Sequence, residues 1–371
     1  MVYWVITSTL TRVGNDNKKF HDRPDATVRN RYGGAVADSL QKRPTLRDVA
    51  ALAGVSTMTV SRVLNGGLNV RPALRRRVEA AVVKLEFRRN ENARSLRPGQ
   101  RSKLVGVIIT NISNPYYARV MSGIEGVIGR SGRRILVGIS HSDVGQEKEL
   151  VRDIIGRQVE GLIVVPSDSD GAHLAPARLG GVPVAIASRP LDGIEADTVT
   201  VDDVGGASEG VRRVLAAGCR RVAFVGSGPS VSTSERRLAG FRLAHEKAGV
   251  PVHEELTRRD ATDADSAETI VRQLLALPDP PDAYFTANNR ITVGALRALV
   301  PVAGESPPPV VSFDDFDLAE LVPYPMVIVD HDAPALGRTA AQMLLRRMDD
   351  SETGPYVTVI MPSTVKRESL R

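Results

Sequence analysis

Residues 45–66 read TLRDVAALAGVSTMTVSRVLNG, and the rest of the chain is organised around them. Leu46, Val49, Ala50 and Ala53 recur at i, i+3, i+4 and i+7, the spacing of one buried helix face. Thr45 is placed to cap that helix, with Asp48 completing a capping box three residues on. Gly54 supplies the left-handed residue that ends it. Ser56 then caps a second short helix, which buries Val60, Val63 and Leu64 and turns Thr57, Met58, Ser61 and Arg62 outward. Two short helices joined at a glycine turn predict a helix-turn-helix, whose second helix enters the DNA major groove. An ordinary helical hairpin inside a larger core has the same local pattern.

Charge separates the two. Between Gln41 and Lys103 fifteen Lys and Arg stand against four Asp and Glu, a net +11, whereas residues 1–40 carry +2 and residues 104–371 carry −7. Solubility alone would spread basic charge, and a phosphate-binding module concentrates it. Residues 1–43 show no sustained period and read as a disordered basic arm with no assigned function. Beyond the helix-turn-helix, Asn65–Asn69 forms a polar turn, and Pro72 opens a third helix with Val78, Val82 and Leu85 on its buried side. Arg75, Arg76 and Arg77 either reach the DNA backbone or form a solvated face. In FRRNENARSLRPG, residues 87–99, Ala93 to Leu96 allow one helical turn before Pro98 and Gly99. One turn is marginal alone, and a plain linker fits the composition equally.

From Lys103 the pattern changes. LVGVII at 104–109 is a continuous apolar run, as a buried parallel strand requires. A helix at 116–129 follows, then strands at 135–139, 162–165, 184–187, 222–225, 283–286 and 310–313, separated by helix-length segments. Alternation of this kind predicts an α/β core, and this many strands predict two parallel sheets. Ligands bind at the carboxyl ends of such strands, here Thr110–Asn114, Ser140–Asp143, Ser188–Arg189, Gly226–Ser230, Ala287–Asn289 and Asp314–Asp315. Enzyme signatures are missing: there is no phosphate-binding P-loop, no dinucleotide fingerprint, and no nucleophile elbow. Six histidines lack zinc-ligand spacing, and His141 or His331 alone is weak support for a general base. No metal or cofactor is called for. The single cysteine, Cys219, fits a reducing cytosol, and neither a signal peptide nor a membrane-length apolar run is present, so a cytoplasmic protein is expected.

Residues 44–371 resemble the lactose-repressor (LacI) family of bacterial transcription regulators. The carriers are TLRDVAALAGVSTMTVSRVLN, ARSL at 93–96, ISNPYY at 112–117, RQVEGLIVVPS at 157–167 and SRPL at 188–191, then RLAGFRLA at 237–244, ALRAL at 295–299 and SFDD at 312–315. The resemblance implies an all-α helix-turn-helix head at 44–89, a hinge helix and linker at 90–103, and a periplasmic-binding-protein-like α/β core of two parallel-sheet lobes at 104–371. It implies base reading from Thr57, Met58, Ser61 and Arg62, with Arg62 the natural bidentate partner of guanine. It also implies a DNA-dependent hinge at Ala93, Arg94 and Leu96, in which Leu96 wedges into the minor groove and bends the duplex. Paired hinges imply a homodimer on a near-palindromic operator, with a tetramer left open. In the core it points to Tyr116, Tyr117, Asp143, Arg189, Asn289 and Asp314 around a small-molecule effector, a sugar or a nucleoside. One of the tyrosines is expected to be a core residue, Asp143 is equally a helix cap, and Arg189 is read as a binding residue ahead of an ordinary ion-pair partner. The chain departs from the family at Asn289, where Asp is usual, and at Cys219, where His is common. It departs again at Arg71, Arg89 and Glu91, which stand near the third helix and the hinge. The expected function is a DNA-binding regulator, most simply a repressor, under metabolite control. A solute-binding receptor using the core alone is the alternative, and it leaves residues 44–97 without a purpose.

Overall fold

The computed structural model describes residues 3–4, 44–64, 70–87, 102–168, 170–191, 193–349 and 354–370. The arm apart from residues 3–4, the turn at 65–69 and the hinge residues Ala93, Arg94 and Leu96 lie outside the described residues. Contacts divide the chain into two units, one within residues 7–100 and the other within residues 101–371, to which residues 3–4 also belong.

The smaller unit is built from α1 (Leu46–Ala53), α2 (Thr57–Leu64) and α3 (Pro72–Lys84). Asp48 accepts the Thr45 N–H at 2.7 Å, while the Thr45 hydroxyl accepts the Asp48 N–H at 3.4 Å, so the capping box forms in both directions. Gly54 ends α1 at φ 61°, where a side chain would be strained, and a Cβ there would lie 2.4 Å from Arg77 Nη2. The Ser56 hydroxyl accepts the Thr59 N–H at 3.2 Å and starts α2. Val49, Ala50, Ala53, Val60, Val63, Val78 and Ala81 make the core, with Leu64, Val82 and Leu85 packed half-buried around it. Arg71 precedes α3 without a side-chain cap, so Pro72 alone pre-sets its first turn.

The larger unit holds two sheets. The first has the order β1 (Tyr3–Trp4), β3 (Arg134–Ile139), β2 (Leu104–Ile109), β4 (Gly161–Val164), β5 (Val184–Ser188), β6 (Asp197–Val201), β12 (Thr358–Met361), parallel throughout. The second has the order β13 (Thr364–Ser369), β11 (Met326–Asp330), β10 (Val310–Phe313), β9 (Ala283–Thr286), β7 (Val222–Val225), β8 (Thr257–Arg258). It is parallel except where β13 runs antiparallel to β11. Continuous apolar runs such as LVGVII and VAFV give strands buried on both faces, as helix-covered sheets demand. Sequence periodicity missed β6, because DTVTV alternates polar and apolar residues although all five are buried, and it missed β11, β12 and β13 near the C-terminus.

The backbone passes between the lobes three times: after β6 at Asp202, after β11 at His331–Asp332, and between β12 and β13 at Pro362–Ser363. Accordingly α6 (Asp203–Ala216) packs on β10, β11 and β13, while α10 (Ala333–Asp349) returns to pack on β4, β5 and β6. Helix α10 also lies against α4 (Pro115–Ile128), where glycines let the backbones touch. A Cβ on Gly123 would lie 2.1 Å from the Pro334 carbonyl oxygen, and one on Gly337 would lie 2.1 Å from that of Val120. Neither obstacle is a flexible side chain. Gly337→Ala should therefore destabilise the core by about 1–3 kcal/mol through overpacking, read as a lower urea midpoint; an unchanged midpoint contradicts this packing.

Candidate DNA-reading head and ligand cleft

Helix α2 buries Val60 and Val63, and this fixes what its other face presents. Thr57, Met58 and Arg62 are exposed, Met58 at 69%, and Ser61 is half-buried beside them. A thioether this exposed on a short helix has no intramolecular use. The same unit displays Arg47, Arg62, Arg71 and Arg76 as exposed cations. Arg77 instead donates to the Gly54 carbonyl at 3.4 Å and braces the turn between α1 and α2.

The cleft lies where carboxyl ends of strands from both lobes meet the crossings. On the first lobe Asn114 caps α4 by accepting the Tyr116 N–H at 3.0 Å. Tyr116 and Tyr117 are both buried, their rings edge-to-face at 5.1 Å. The Tyr116 hydroxyl pairs with Ser188 Oγ at 2.7 Å, and burial together with the negative charge of Asp314 raises its pKa, so the phenol stays neutral. Arg189 donates to the Pro166 carbonyl at 3.0 Å and to the Tyr117 hydroxyl at 3.4 Å, and it has no acidic partner among the described residues. Asp143 is exposed and accepts the Gln146 N–H at 2.7 Å as the N-cap of α5 (Val144–Gly156). The capping half of its dual reading is what this geometry displays.

On the second lobe Asp314 meets Arg237, which stands on α7 (Ser232–Ala248). Arg237 is 6% exposed; its Nε donates to Asp203 at 2.8 Å and its Nη1 donates to the Ala287 carbonyl at 2.6 Å and to Asp314 Oδ2 at 3.2 Å. Its guanidinium carbon also lies 3.7 Å from the Phe313 ring centroid. Among the described residues Asp314 Oδ1 is buried without a hydrogen-bond partner, 3.7 Å from His331 Nδ1. His331 is buried with neither ring nitrogen bonded to a described residue, its ring 5.4 Å from that of Tyr116. Ser188 and Asp314 close their strands at φ 70° and 68°, left-handed conformations that side chains seldom adopt. Such strain, about 1–3 kcal/mol per residue, concentrates at binding sites. Asn289 begins α9 (Asn289–Leu299), is 3% exposed, and reaches across to Asn114 at 2.9 Å.

The cleft thus gathers Tyr116, Tyr117, Arg189, Asn289 and Asp314 and leaves Asp143 at its cap. It adds Arg237 and Asp203, which sequence reasoning had not placed in the site, together with Ser188, read only as part of a strand end, and His331, read only as weak support for a general base. Among the described residues no group of His, Cys, Asp and Glu is arranged to hold a metal ion, and no helix is long and apolar enough to cross a membrane.

A family model described as bacterial regulatory proteins, lacI family, matches residues 45–90, and one for a periplasmic binding protein-like domain matches residues 211–370. The transcriptional regulator CelR of Thermobifida fusca is 30% identical over 339 residues, spanning 89% of this chain and 99% of that protein. The chain belongs to the LacI family. The ribose operon repressor of Haemophilus influenzae is 26% identical over 88% of this regulator and 98% of its own length. Among solved structures, a CelR–cellobiose complex superposes with a TM-score of 0.66 at 28% identity, covering 89% of this chain and 100% of that one. A lac repressor dimer bound to operator and the anti-inducer ONPF gives 0.71 at 26% identity, covering 89% and 99%. The regulator thus has a helix-turn-helix head and a two-lobed α/β core, as its sequence implied.

Burial lowers the pKa of His331, and burial likewise lowers that of His245, which lies against the Phe241 ring. The unfolded chain then binds protons that the folded core refuses. Stability is complete above the ordinary imidazole value of about 6.5 and declines as pH falls below it. Thermal melts between pH 7.5 and 5.5 should show Tm falling on the acid side, with a shallower fall in His331→Gln; a flat profile contradicts neutral burial.

Proposed function

We propose that this LacI-family protein represses transcription by gripping a near-palindromic operator as a homodimer, and that a neutral sugar or nucleoside in the cleft resets that grip. The observation that carries this reading is one chain joining an exposed Thr57–Met58–Arg62 face to a cleft of buried, unsatisfied polar atoms. Arg62 is assigned the bidentate guanine contact, and Thr57, Met58 and Ser61 the neighbouring thymine-methyl and hydroxyl contacts. Ala93, Arg94 and Leu96 are assigned the hinge, with Leu96 the minor-groove wedge. The proposed layout keeps residues 1–43 as an arm, 44–89 as the head, 90–103 as the hinge and 104–371 as the sensing and dimerising core. A regulator of this kind acts in the cytoplasm and needs no catalytic step. The receptor alternative has no role for the head.

The chemistry of the cleft supports the effector class. The charge of Arg237 is already matched by Asp203 and Asp314. Asp314 Oδ1 and Asn289 Oδ1 are buried acceptors that lack donors. Hydroxyl and N–H groups supply donors, whereas a phosphate or carboxylate would set anion against anion. Tyr116 and Tyr117 offer an aromatic wall, and Arg189 a planar fork for paired hydroxyls. An effector that prefers one lobe arrangement shifts the equilibrium toward it, and so changes how the paired heads meet the operator.

Two measurements test this. In a selection of duplex fragments, Arg62→Ala should cost about 1–3 kcal/mol on the preferred sequence and relax one base position; an unchanged preference removes the assignment. In calorimetric titrations with a panel of sugars and nucleosides, neutral compounds should bind and their phosphorylated forms should not; the reverse order contradicts the cleft chemistry.

A further inference from the structure

Asn114 and Asn289 belong to different lobes: the first precedes α4 after β2, the second opens α9 after β9. Their side chains nevertheless meet, Asn289 Nδ2 donating to Asn114 Oδ1 at 2.9 Å, with both residues buried. The orientation of each amide is fixed by its surroundings. Asn114 Oδ1 must be oxygen, because it also accepts the Tyr116 N–H that starts α4. Asn289 must therefore present its NH2, which also leans toward the Asp315 carbonyl at 3.5 Å. Its own Oδ1 is left buried without a partner among the described residues.

We propose that the Asn289 carboxamide is a clasp that holds the two lobes together before any effector arrives. The proposal rests on the cleft being the ligand site only for its bearing on regulation; the clasp itself is a property of the free protein. Position 289 needs a donor. A carboxylate there would face the Asn114 oxygen acceptor to acceptor, with no proton to share at neutral pH. Opening the lobes would strand two buried amides only until water reached them, so the clasp is strong in the closed, dry arrangement and weak once wetted. It therefore sets the resting position of the lobes, while the three backbone crossings define the hinge about which they move. The unpartnered Asn289 Oδ1 lets an effector's hydroxyl or N–H bond the same amide without displacing the clasp.

Asn289→Asp isolates the donor, since an acid in the first turn of α9 suits the helix and Asn288 remains its cap. Spin labels at Ser142→Cys and Ser230→Cys, in full-length protein carrying Cys219→Ser, report the lobe separation by double electron–electron resonance without added ligand. The parent should give a single short-distance population. Asn289→Asp should shift most of it to longer distances, whereas Asn114→Asp, which keeps an acceptor for both the helix cap and the Asn289 amide, should retain the short distance. Asn114→Ala with Asn289→Asp should open no further than Asn289→Asp alone. A parent distribution retained in Asn289→Asp overturns the clasp, as does additive opening in the double variant. If no sugar or nucleoside binds while the Asn289→Asp shift persists, the clasp stands and the ligand assignment fails.

Discussion

Arg237 carries a positive charge into the middle of the sensing core, and the cleft is built around making that charge tolerable. A guanidinium 6% exposed is destabilising by several kcal/mol unless every donor finds an acceptor. Here Asp203 comes from the crossing after β6, Asp314 from the end of β10 and the Ala287 carbonyl from the end of β9, while Phe313 covers the planar face. One side chain thus ties a crossing segment to two strand ends. Asp314 makes this contact from a left-handed backbone at the end of its strand. Asp314 Oδ1 is left buried with no hydrogen-bond partner among the described residues.

The same logic makes the cluster a fixed part of its lobe. Buried ion pairs add little net stability over apolar packing, but losing one partner is costly. The Asp203–Arg237–Asp314 cluster lies within the second lobe, where it fixes the start of α6 and the ends of β9 and β10 relative to one another. The local basic charge of the head and the net acidity of the core keep the two tasks apart: the head is drawn to phosphate, and the core is not.

Much of this was legible in the sequence because it was local. Thr45, Asp48, Gly54 and Ser56 write the caps and turn of the first two helices into twelve consecutive residues, and the structure forms each of those hydrogen bonds. Seven strands announced themselves as apolar runs. Strand β6 did not, since burial of Thr198 and Thr200 depends on neighbours at β5 and β12 rather than on their own polarity. Arg237 was invisible for a similar reason. It lies next to Arg236 on a long polar helix, its partners are 34 and 77 residues away, and no local pattern says which arginine turns inward. His331 looked like a lone histidine near a strand end; only the crossing of the chain places it beside Tyr116 and Asp314. Asp143 carried two readings because a helix cap and a ligand contact want the same short acid at the same strand end.

Coupling between a salt-sensitive grip on duplex DNA and the state of a metabolite cleft is open to direct measurement. Fluorescence anisotropy with a selected duplex, titrated at several salt concentrations with and without a bound sugar or nucleoside, tests both halves together. Log Kd should rise steeply and linearly with log salt, and filling the cleft should displace the whole line. A salt-independent line, or one that a tightly bound cleft ligand leaves unmoved, would contradict this coupling.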